Sequence, residues 1–97
     1  MPAAPLLPKD QISAGLASLR GWQRDGNAIA KTFKRRDFSE AVAFVGSLVA
    51  PADEQNHHPD VVIRWNEVTL RLWTHASGGL TERDLRLART IDEMTED

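Results

Sequence analysis

The sequence contains no cysteine. That removes disulfides, thiolate nucleophiles, iron–sulfur clusters and Cys-ligated zinc together, and leaves histidines, carboxylates and hydroxyls to carry any chemistry. No run approaches the ~18 apolar residues needed to span a bilayer. The opening MPAAPLLP has no basic segment and only a short apolar stretch broken by proline, so a cytoplasmic location is expected. Positive charge is not in excess. Twelve Lys and Arg against 14 Asp and Glu leave a net −2, so no global field gathers nucleic acid or an anionic membrane. P-loop, GxGxxG, GxSxG and HExxH patterns are all missing. What is present is ordinary for a globular chain: 97 residues, 41% apolar and 27% charged, read as one domain over 1–97.

Helical spacing comes first. From Pro8 to Arg20 the apolar positions Ile12, Leu16 and Leu19 fall on one helical face, with Gly21 suited to the end. Trp22 to Asp25 and Ala28 to Lys34 read as two strands joined at Gly26-Asn27. Asp37 and Glu40 form a D-x-x-E capping pattern before Ala41, Phe44, Val45 and Leu48, and Pro51 predicts a kink or stop in that second helix. Val61, Ile63 and Trp65, then Val68, Leu70 and Leu72, alternate as a second hairpin with its turn near Asn66-Glu67 and its last strand running to His75. Ser77-Gly78-Gly79 is a loop. Thr81 then caps a third helix to about Met94, with an acid at the third helical position and a Leu80/Leu85 staple, and Thr95-Glu96-Asp97 is read as a fraying end. Hairpin-length links imply an α+β fold: a four-stranded antiparallel sheet with three helices on one face, in the order α-β-β-α-β-β-α.

All three histidines lie in the middle of the chain, His57 and His58 adjacent and His75 eighteen residues on. The second hairpin folds that interval in half and brings the three imidazoles together. An imidazole titrates near neutrality, which suits such a cluster to general acid–base work. Asp84, in the first turn of the third helix, reads locally as the partner of the Thr81 cap, a role that does not exclude a place in the site. His57-His58-Pro59 also has a plain reading as a rigid polar loop. Adjacent histidines rarely aim at one ion, so no metal is expected. Lys31, Lys34, Arg35 and Arg36 around Phe33 read as a solvated strand end rather than a nucleic-acid patch. Trp22, Trp65 and Trp73 read first as core or hairpin residues, though a ring at a site edge can stack on a flat heterocycle.

The run NHHPD at 56–60, Trp65-Asn66 in the following turn, THASGGLTERD at 74–84 and LARTID ending at Asp92 resemble pterin-4a-carbinolamine dehydratase. The likeness extends through Gly21-Trp22, the strand from Ile29 to Phe33 and Asp37-Phe38, and so covers nearly the whole chain. It implies dehydration of a 4a-hydroxytetrahydropterin to the quinonoid dihydropterin, in recycling of the cofactor of aromatic amino-acid hydroxylases, with no metal or cofactor of the protein's own. It also implies homodimers formed through the sheets, often paired into tetramers. A mammalian relative serves as a dimerisation cofactor for a homeodomain transcription factor, so a non-enzymatic assembly module is the competing class. By this resemblance His57, His58 and His75 ring the pterin, and Asn56, Pro59, Trp73, Thr74 and Asp84 bind it. His57 and His75 are expected to act as the acid–base pair, His58 to position the pterin or tune its neighbours, and Asp84 to orient an imidazole or hold a ring nitrogen. Three positions depart from the family pattern: Asp53 stands where Glu is usual, Trp73 where small hydroxyl residues are common, and Pro51 interrupts a helix that usually runs on.

Overall fold

The computed structural model describes residues 4–95, so Glu96 and Asp97 of the expected fraying end and Met1 to Ala3 of the opening segment lie outside the described residues. The first helix, α1 (Lys9–Ala17), starts directly after Pro8. It stops short of Arg20, and Leu19 is buried just beyond it. β1 (Gln23–Asp25) and β2 (Ala28–Lys34) follow, joined by Gly26-Asn27, where Gly26 takes a φ of +60° that its missing side chain permits. Asp37 caps α2 (Phe38–Ser47) by accepting from the Glu40 N–H at 2.9 Å. The Glu40 carboxylate reaches back one residue further than a standard capping box, to the N–H of Arg36.

The expected break near Pro51 falls three residues earlier. Leu48 closes α2 and opens α3 (Val49–Gln55), so Pro51 sits in the first turn of α3, where no intrahelical N–H bond is lost. α3 ends at Asn56 in the left-handed conformation, φ +49°, a state that asparagine tolerates better than most residues.

β3 (Asp60–Arg64) and β4 (Glu67–Leu72) form the second hairpin, with Arg64 opposite Glu67. The turn is therefore Trp65-Asn66, not Asn66-Glu67. Trp65 is no strand residue; it takes φ +53° and is 66% exposed. β4 ends at Leu72, and His75 opens a short 3-10 turn (His75–Ser77) rather than closing the strand. Thr74 and Gly79 form an isolated bridge across that turn. The last helix, α4 (Glu82–Thr95), completes the order.

The strands line up β1-β2-β4-β3, every neighbour antiparallel. Side chains alternate across the sheet, so Ile29 and Phe33 of β2 share one face with Val68, Leu70 and Leu72 of β4. That face carries Ile12 of α1, Ala41 and Phe44 of α2, and Leu85, Leu87, Ala88 and Ile91 of α4 in one core. The expected four-stranded sheet with its helix layer on one side is the observed architecture. Each fully buried Ile or Leu stabilises it by roughly 1.5–3 kcal/mol. The other face is open, with Thr32 and Thr69 hydroxyls 2.8 Å apart across β2 and β4.

Candidate active site

The left-handed turn at Asn56 decides which way the histidines point. It lets the His57 N–H bond back to the Ala52 carbonyl at 3.0 Å and turns the His57 side chain inward, 8% exposed. The chain past Asn56 is no longer helical, and successive side chains diverge, so His58 points outward. His57 then meets α4. Its Nε2 lies 2.5 Å from Oδ1 of Asp84, a fully buried carboxylate.

Asp84 reaches that position because it belongs to the first turn of α4. Its Oδ2 accepts from the Thr81 N–H at 2.9 Å, completing the cap that the sequence predicts, and from the Thr74 hydroxyl at 2.9 Å. Each hydroxyl has one proton to give. Since Thr74 gives its own to Asp84, the 2.7 Å contact between the two threonine hydroxyls is a donation from Thr81 to Thr74. Thr81 Oγ1 in turn accepts from the Arg83 N–H. A carboxylate removed from water costs several kcal/mol unless its lone pairs are filled, and here donors fill both oxygens. The cap and the site are one network.

An ionised carboxylate only accepts, so the geometry assigns the neutral His57 proton to Nε2. Nδ1 has no partner among the described residues, yet it is not sealed away as an orphaned buried atom. The imidazole is held on one edge and available on the other.

His58 has a carboxylate of its own. Its Nε2 lies 2.9 Å from Asp53 Oδ1, both side chains more than half exposed. The shorter Asp53 arm therefore reaches a histidine from one turn back along α3.

His75 is exposed and has no hydrogen-bonded side-chain partner among the described residues. The Trp73 indole lies against it, ring centroids 3.9 Å apart and planes 34° from parallel. The indole Nε1–H donates to Asp60 Oδ2 at 3.3 Å. Thr74, the residue before His75, links this strand end to Asp84 and so to His57. Asn56 acts through its backbone turn, its side chain exposed, and Pro59 is half-buried between His58 and β3.

The structure thus ties His57, Asp84, Thr74 and Thr81 into one buried network, with His58 and His75 at its exposed borders. Sequence reading missed the Asp60–Trp73 bond and the bond from Thr81 to Thr74. Asp60 closes the NHHPD run and Trp73 directly precedes the run at 74–84, but only the hairpin register, with Asp60 opposite Arg71, brings them together. No group of three or more His, Asp or Glu side chains among the described residues is placed to hold a metal ion. A concavity of about 800 Å³ lies elsewhere, between the end of α1 and the second half of α4, and none of the three histidines lines it. No helix among the described residues is long and apolar enough to cross a membrane.

Comparison with known proteins bears on this arrangement. The family model "Pterin 4 alpha carbinolamine dehydratase" matches residues 5–94. A protein of Roseiflexus sp. (strain RS-1) named "Putative pterin-4-alpha-carbinolamine dehydratase" is 49% identical over 84 residues, covering 87% of this chain and 90% of its own. A protein of the same name from Roseiflexus castenholzii is 48% identical over 91 residues, covering 94% of this chain and 98% of its own. A crystal structure described as a transcriptional coactivator/pterin dehydratase from Brucella melitensis superposes with a TM-score of 0.86 at 33% identity, over 92% of this chain and 97% of that one. With a family match over nearly its whole length, close relatives and a shared fold, the chain belongs to the pterin-4a-carbinolamine dehydratase family.

Proposed function

We propose that this protein, acting as one domain in the cytoplasm, dehydrates a 4a-hydroxytetrahydropterin to the quinonoid dihydropterin and water, and so serves an aromatic amino-acid hydroxylase that regenerates the hydroxylated pterin. The observation that carries the reading is His57, held through Nε2 by a buried Asp84 while Nδ1 has no partner among the described residues. Loss of water from C4a needs one proton delivered to the departing hydroxyl and one removed from a ring nitrogen. Two imidazoles on either side of the pterin share those transfers, which contribute roughly 10²–10⁴-fold. In this reading His57 and His75 exchange the protons, His58 with Asp53 positions the pterin, and Asp84 orients His57. Asn56, Pro59, Trp73 and Thr74 border the bicycle. No metal or cofactor of the protein's own takes part. Because the reaction proceeds slowly unaided, orientation and modest proton transfer suffice.

The test is the ultraviolet decay of a freshly generated carbinolamine in the presence of the wild-type protein. Acceleration supports the reading, and decay at the buffer rate overturns it.

Assembly belongs to the same proposal. β3 is an edge strand with Val61 39% and Val62 48% exposed, which supports a homodimer formed through the sheets, with a tetramer as the next step. A second reading, a non-enzymatic assembly module, is favoured by two observations: Phe38, Val42 and Val49 stand 47–56% exposed along α2 and the start of α3, and the Brucella relative is described as a coactivator. Retention of a partner with His57 and His75 both replaced distinguishes it from the enzyme reading.

A further inference from the structure

We infer that Asp60 sets the orientation of His75 through Trp73, a third carboxylate-to-imidazole relay in which an indole is the middle member. The inference rests on the dehydratase reading for its consequence in catalysis, and on geometry alone for its existence. His57 and His58 are each held directly by an acid, Asp84 and Asp53. His75 has no such bond among the described residues, and its imidazole is exposed at the start of a three-residue turn. Left to itself a ring in that position rotates freely about its side-chain bonds, a loss for any group that must present a chosen nitrogen.

What restrains it is the Trp73 face at 3.9 Å. A stack fixes a ring plane only if the stacking partner is itself fixed. The indole is fixed at its polar end by Asp60, whose Oδ2 accepts the Nε1–H. Asp60 can reach because it stands opposite Arg71 in the β3–β4 register, two residues before Trp73. Arg71 adds a second restraint: its guanidinium carbon lies 6.0 Å from the Trp73 ring centroid, and its Nε donates to Asp25 Oδ2 at 3.2 Å. The indole occupies one face of the imidazole, so a flat guest meets His75 at its other face or at its nitrogen edge. Trp73 thus gives His75 the restraint that Asp84 and Asp53 give His57 and His58.

Two readouts test the relay. In proton NMR the His75 ring protons of the wild-type protein lie upfield, under the indole face. In Asp60→Ala and in Trp73→Leu they move toward the positions of an unstacked histidine, while Asp60→Asn, whose side-chain carbonyl still accepts from the indole, keeps them near the wild-type positions. In the decay assay Asp60→Ala lowers kcat by roughly tenfold with little change in KM, and Asp60→Asn restores most of it. His75 signals that do not move in Asp60→Ala overturn the relay, whatever the activity. Signals that move while kcat stays at the wild-type value overturn its catalytic consequence. If the wild-type protein does not accelerate decay, the dehydratase reading fails and the NMR arm alone decides the relay.

Discussion

Asp84 meets His57 at 2.5 Å through one carboxylate oxygen while the other oxygen closes the N-terminal cap of α4. A residue that begins a helix therefore also orients the buried histidine, and the Thr74 hydroxyl couples both roles to the strand end that carries His75. Rigidity for the site is drawn from the same bonds that stabilise the helix.

The acid–base assignment predicts that His57→Ala and His75→Ala each slow carbinolamine dehydration by about tenfold or more, with far-ultraviolet circular dichroism unchanged. Full rates in both variants would remove these two rings from the chemistry.

Thr74→Val keeps the shape of the side chain but removes a buried hydroxyl that donates to Asp84 and accepts from Thr81. Leaving those groups short of a partner costs about 1–3 kcal/mol, read from the urea midpoint. A loss below about 0.5 kcal/mol would mean that water replaces the hydroxyl without penalty.

Asp37→Ala removes the cap of α2, which follows the end of β2 that pairs with Glu67, whereas the β4 end leading to His75 pairs at Ile29. A stability loss of about 1 kcal/mol is expected. The dehydration rate of the folded protein should be unchanged, which separates a generic loss of stability from damage to the site. A rate that falls in parallel with stability would contradict that separation.

Much of the fold was legible because its signals are local. β2 has the limits that alternation and the Gly26-Asn27 turn suggest, and the caps at Asp37 and Thr81 stand where short polar patterns put them. The misplaced features have tertiary causes. Tryptophan favours strands, so Trp65 reads as a strand end. Burial of Val68, Leu70 and Leu72 fixes the register instead, and Trp65 is left in the turn with a positive φ. Pro51 marks a break, yet proline is tolerated in a first turn, so the interruption falls at Leu48. Asp84 was legible as a cap through its three-residue spacing from Thr81. Its bond to His57 spans 27 residues and needs the packing of α3 on α4. The stack of Trp73 on His75 hides in a similar way, because β4 ends before His75 and the chain tightens into a 3-10 turn.

A dimer formed through the sheets predicts that Val62→Lys, a charge placed on the β3 edge, halves the mass seen by light scattering while the monomer stays folded. An unchanged mass would locate the contact elsewhere or leave the protein monomeric.

The most direct test of the central claim follows the three histidine side chains by NMR with selectively labelled histidine during titration with a stable reduced pterin. Resonances of His57, His58 and His75 should shift together along one saturable binding curve. A ligand that perturbs His57 and His58 while His75 stays still would contradict a site built from all three.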